Sequence, residues 1–129
     1  MRKQYHLRQS ARGLLAWDVD RLIALTSGLP AEEISLSTIQ ELDQPFWFGG
    51  ESQVATCRMV ADHAKLIAEA DLRYPIILGV DGRVMDGMHR VARAYIEGRD
   101  TILAVQMKID PEPDFVGVDE DQLPYPEQP

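Results

Sequence analysis

Apolar positions recur along the chain at helical and strand spacings, and together they predict an order of elements. After Asp18, the residues Val19, Leu22, Ile23 and Leu25 share one face of a short helix that Asp18 caps and that Gly28 and Pro30 end. A second helix is predicted over 55–70. Cys57, Val60, Ala61, Ala64, Ile67 and Ala68 face inward there, while Arg58–Asp62 and Lys65–Glu69 pair at i,i+4 outside. A third helix is predicted over 88–97, with Met88, Val91, Ala92 and Tyr95 on one face and Gly98 as its stop. Strands are predicted at 5–7, 33–36, 75–78, 83–85 and 101–109, with Val80-Asp81-Gly82 turning the third into the fourth as a hairpin. The order β, α, β, α, β-hairpin, α, β describes a compact α+β (α/β-like) domain with a small mixed sheet and three to four helices.

Composition narrows the class. The 129 residues, 45% hydrophobic and 26% charged, are those of an ordinary globule of one domain. One cysteine excludes a disulfide-built secreted module, and no Cys/His spacing resembles a zinc site, so a cytoplasmic location is expected. Apolar runs such as 74–80 are far too short to span a bilayer, and the basic N-terminus (Arg2, Lys3, Arg8, Arg12) lacks a secretory apolar run. The formal charge of -8 argues against a broad nucleic-acid surface. It is also unevenly placed. Seven acids and no base lie from Asp110 onward, with five of the eight prolines, leaving 14 acids against 13 bases in residues 1–109. The expected division is therefore a folded domain over 1–109 and an extended acidic, Pro-rich tail over 110–129. Phe115, Val116, Val118, Leu123 and Tyr125 make that tail apolar enough to strap across the domain or meet a protein partner.

The chemistry concentrates in one stretch, Ile77 to Ala94, which contains D-G-M-H-R at 86–90. A hairpin delivers the chain to Asp86-Gly87, and the next residues open a helix. Its first amides, at Met88, His89 and Arg90, have no partner in the preceding turn, which together with the helix dipole makes an anion site. Gly87 lets an anion approach the backbone, Arg90 offers a bidentate fork, His89 a hydrogen bond, and Arg93 extends the positive patch by a turn. The plainer reading makes Asp86 an N-cap and pairs Arg93 with Glu97. Glu41 and Asp43 read as ordinary loop acids. Thr56 and Arg58 are a further candidate phosphate-side pair. Cys57 reads as an inert buried thiol, His6 and His63 as histidines without a motif, and Trp17, Phe46, Trp47 and Phe48 as core or rim aromatics, with 46–50 as an alternative base-stacking lip. No G-x-S-x-G, H-E-x-x-H or G-x-x-x-x-G-K-[ST] pattern supports an esterase, zinc protease or Walker-type NTPase.

A strand, then D-G-x-H-R, then an amphipathic helix resembles the phosphate-binding element of the ParB/sulfiredoxin-like superfamily, and residues 34–109 follow its order of elements. Sulfiredoxins carry a similar G-G-C-H-R, ParB proteins a G-x-x-R helix start, and free serine kinases a D-G-x-H-R form that looks closest. The resemblance implies that Gly87, His89 and Arg90 contact nucleotide phosphates, those of ATP or CTP, beside the backbone amide of Met88. It also implies that Asp86 binds Mg2+ or orients a hydroxyl nucleophile, and the segment 36–47, L-S-T-I-Q-E-L-D-Q-P-F-W, looks similar to the superfamily region that reaches the nucleotide site, which makes Glu41 and Asp43 candidate carboxylates for base or metal work. Met88 stands where sulfiredoxins place their reactive cysteine, which excludes that activity. A ParB partition protein would need further DNA-binding and dimerisation domains, so only the N-terminal nucleotide module is represented. The expected function is binding of a nucleotide or a phosphorylated small molecule. Magnesium-dependent phosphoryl transfer to a small hydroxylated acceptor would be its catalytic form, with Asp86, Glu41 and Asp43 as the catalytic carboxylates. A non-catalytic sensor or adaptor that binds a protein through the tail is the alternative, and nuclease-like or ADP-ribosyltransferase activity is a further one. A homodimer is left open.

Overall fold

A computed structural model describes residues 3–48 and 54–125. Arg2, Gly49, Gly50, Pro126, Glu127 and Pro129, which entered the readings of the basic cluster, the aromatic lip and the tail, lie outside them. The described elements are β1 (Tyr5–Ser10), β2 (Gly13–Asp18), α1 (Val19–Thr26), β3 (Glu32–Ser35), α2 (Cys57–Glu69), β4 (Ile76–Leu78), β5 (Val84–Asp86), α3 (Met88–Ile96), β6 (Thr101–Gln106) and β7 (Phe115–Val116). Single 3-10 turns lie at Leu36–Thr38, Gln40–Asp43 and Glu120–Gln122. The class is α+β, with three α-helices and two sheets in place of one among the described residues. The chain divides into two compact units, one made by the N-terminal segment up to Gly28 with the C-terminal segment from Ile109, the other by Leu29–Lys108.

In the first unit β1 and β2 form a hairpin, and β7 adds to β2 in antiparallel register, Leu15 opposite Val116 and Ala16 opposite Phe115. The acidic segment is tied down by side chains as well. Trp17 Nε1 donates to Pro111 O at 2.7 Å, the Asp18 amide donates to Asp114 Oδ2 at 2.8 Å, and Tyr5 OH donates to Pro124 O at 2.6 Å. Asp18 caps α1 as its spacing predicts, accepting from the Asp20 amide. The face of α1 is narrower than expected: Val19, Leu22 and Thr26 are buried, whereas Ile23 and Leu25 are about half exposed. Sequence periodicity missed β2, because its buried residues Leu15, Ala16 and Trp17 are consecutive and show no alternation.

In the second unit the sheet order is β3-β6-β4-β5, with β4 and β6 parallel and both outer pairings antiparallel. Ile76, Leu78, Val84, Ile102 and Ala104 of this sheet pack with Met88, Val91 and Ala94 of α3 and with Leu36 and Ile39. The hairpin and α3 run as predicted, though Tyr95 is exposed and Ala94 takes its place inside.

Helix α2 departs most from expectation. It forms, but no residue of it is buried, and its less exposed row is Met59, His63 and Ile67 at i,i+4,i+8. Cys57, expected in the core, is exposed, as are Val60, Ala61, Ala64 and Ala68. The Arg58–Asp62 and Lys65–Glu69 ion pairs do not form among the described residues. The row turned inward is the one that carries His63.

Candidate functional site

The junction of β5 and α3 gathers the central residues of the sequence reading. Asp86 ends β5 opposite Ile77 of β4, and Gly87 caps α3 with φ +105°. That conformation favours glycine, and space demands it: an added Cβ would lie 2.7 Å from Ile76 Cγ2 and 2.9 Å from Arg90 Nη2. The cap of α3 is thus Gly87 and not Asp86, and among the described residues no side chain caps the first turn of the helix. By contrast Asp18 and Thr56 serve α1 and α2, the Thr56 hydroxyl accepting from the Met59 amide at 3.1 Å. The first amides of α3 therefore keep the partial positive charge of a helix N-terminus unmet by a side-chain acceptor among the described residues.

The arginines are already engaged. Arg90 Nη2 donates to Asp86 Oδ2 at 2.8 Å, and Nη1 donates to the carbonyls of Tyr74 at 3.0 Å and Pro75 at 2.8 Å. With side chains only 16% and 14% exposed, Arg90 and Asp86 form a shielded i,i+4 pair that ties the lead into β4 to the end of β5. Arg93 pairs with Glu97 at 2.8 Å, and its Nη1 donates to the carbonyls of Ala68 and Ala70, closing the C-terminus of α2. Met88 is buried in the core.

His89 makes the contact the sequence did not announce. Its Nε2 lies 2.8 Å from Nδ1 of His63 on α2, one ring donating and the other accepting. The Trp47 indole stacks on both imidazoles, 4.3 Å from His63 and 4.6 Å from His89, and Phe48 meets His63 edge-on. Burial lowers the pKa of His63, and burial together with the neighbouring His63 lowers that of His89 to about 4. Both rings are therefore uncharged at neutral pH, and His89 serves as a hydrogen-bonding group, not a cation. His63 and Trp47 were the missed members. The signal for His63 was the i,i+4 row that it shares with Met59 and Ile67, which hydropathy conceals because histidine scores as polar.

The remaining candidates lie apart from this cluster. Glu41 is buried, and its Oε2 accepts from the Val84 amide at 2.6 Å, fastening the 3-10 turn to the start of β5. Asp43 and Arg58 are exposed. Among the described residues no three His, Cys, Asp or Glu side chains group as a metal site, and no helix is long and apolar enough to cross a membrane. No family model, curated protein or solved structure matches the chain.

Proposed function

We propose that the chain binds the phosphate groups of a nucleotide at the start of α3. The observation that carries this reading is the uncapped first turn of α3 behind a left-handed Gly87 that has no room for a side chain. The amides of Met88, His89 and Arg90 would meet the phosphate oxygens. The Asp86–Arg90 pair holds the turn in shape, and His89, fixed by His63 and Trp47, offers a neutral hydrogen bond at the rim. The resemblance of D-G-M-H-R to the ParB/sulfiredoxin-like phosphate element supports the same ligand, ATP or CTP.

Magnesium would arrive with the nucleotide. The ion takes one or two carboxylates alongside phosphate oxygens and water, and Asp86 keeps Oδ1 while Arg90 takes Oδ2. Bound there, it would neutralise phosphate charge.

A sensor or adaptor is favoured over a phosphotransferase, because Asp86 is paired with Arg90 and Glu41 is committed to the Val84 amide. Titrating the 15N-labelled chain with ATP, CTP and tripolyphosphate, with and without magnesium, should shift the amide signals of residues 88–90 at micromolar to millimolar ligand. His89→Ala should weaken binding by about 1 kcal/mol, one hydrogen bond. Unmoved 88–90 signals at millimolar ligand would refute the site. Steady release of phosphate or ADP by the wild type, lost in Asp86→Asn, would establish turnover instead.

A further inference from the structure

The outer surface of α2 carries two adjoining rows. One is apolar: Cys57, Val60, Ala61, Ala64 and Ala68 are all exposed, Val60 at 52%, and Val54 just before the helix stands at 81%. The other is charged: Arg58, Asp62, Lys65 and Glu69, all exposed and in no ion pair among the described residues. Soluble helices usually turn their apolar row inward, and this one turns it out.

The charges select the occupant. Their signs alternate plus, minus, plus, minus, so the row matches its own reverse. A two-fold axis passing between residues 63 and 64 sets Arg58 level with Glu69 of a second copy and Asp62 level with Lys65. Rotation about that axis also keeps both charged rows on the same side of the apolar seam. A parallel arrangement would put the two charged rows on opposite sides of the seam, where neither meets its complement. We propose that the exposed face of α2 is the interface of a homodimer in which two copies pack their α2 helices antiparallel about this axis. An isologous contact of this kind needs one self-complementary patch, which α2 supplies. The alanines permit a close approach of the two helix axes. At 13 residues the helix is roughly 20 Å long, so the contact is small and the dimer weak and concentration-dependent.

Sedimentation of the full chain from micromolar to millimolar concentration should show the mass rise from monomer toward dimer, less so at high salt. Lys65→Glu should weaken association at least tenfold, and the swap of Asp62→Lys with Lys65→Asp should restore it. The cysteine gives the orientation. In the antiparallel pair Cys57 lies roughly 3 Å along the axis from Ala68 of the second copy, on the same apolar row, so Ala68→Cys should crosslink readily under mild oxidation. The wild type should crosslink no more than the denatured chain, because its two Cys57 residues lie roughly 20 Å apart, beyond disulfide reach. A chain that stays monomeric at millimolar concentration leaves the face to a different partner and overturns the proposal. Efficient crosslinking of the wild type through Cys57 would overturn it too, by requiring a parallel pair.

Discussion

Replacing Gly87 by alanine asks for two things the turn does not allow, a side chain at φ +105° and a methyl group 2.7 Å from Ile76 Cγ2. Gly87→Ala should therefore cost about 2–4 kcal/mol in urea denaturation, the sum of left-handed strain and overpacking. Gly82 is the control. It has φ +85° with nothing within 4 Å of an added Cβ, so Gly82→Ala should cost only about 1 kcal/mol. Arg90→Lys tests whether a charge suffices. A lysine keeps one contact of the guanidinium's three and leaves Asp86 or the Tyr74 and Pro75 carbonyls short of a donor, so a loss of about 1–3 kcal/mol is expected by the same measurement. At this scale the sequence was informative about position and less so about partners. D-G-M-H-R marked the turn between β5 and α3, since glycine before a helical apolar row reads directly. That Arg90 would spend its fork on Asp86 and two carbonyls depends on the lead into β4 passing alongside, which no local pattern encodes.

Between elements, α2 is held to α3 by polar and aromatic contacts more than by buried apolar area. The His63–His89 bond, the Trp47 stack and the Arg93 clasp on Ala68 and Ala70 form the joint. Since no residue of α2 is buried, its amides should exchange with solvent faster than those of α3, measured by hydrogen exchange. The joint is also sensitive to acid. Both histidines have pKa values below the ordinary 6.5, that of His89 at about 4. The unfolded chain thus binds more protons between about pH 6.5 and 4, and stability falls as pH drops through that window, then levels below it. For His89, half-buried, the loss should be about 1–2 kcal/mol after solvent screening. Measured between pH 7 and 5, where carboxylates stay ionised, the slope should flatten in His89→Asn. The same joint explains why the face of α2 was misread. Its alanines and paired charges look like an inside and an outside, but the rows that decide orientation are those that meet Trp47 and His89, both distant in sequence. The aromatics at 46–48, read as a rim or a base-stacking lip, are in part the other side of that joint.

For the whole molecule, each unit carries its own tryptophan, Trp17 in the first and Trp47 in the second. Fluorescence of Trp47→Phe and Trp17→Phe variants should report two separable denaturation transitions, and a chain ending at Lys108 should lose the Trp17 transition while keeping that of Trp47. A single coincident transition in both variants would contradict this. The acidic segment read from composition as an appendage because prolines and like charges oppose regular structure. Composition could not show that Asp114 would meet the Asp18 amide, or that Pro111 would offer its carbonyl to Trp17. The pairing of Leu15 with Val116 has a consequence for the growing chain. Residues 29–108 have their sheet and helices complete among themselves as soon as they emerge from the ribosome. The hairpin of β1 and β2 must wait about a hundred residues for its third strand, which is made only after the sheet of the central unit is complete. Synthesis from one end thus completes the middle before the flanks, and β1 and β2 are sealed after the unit that follows them in the chain.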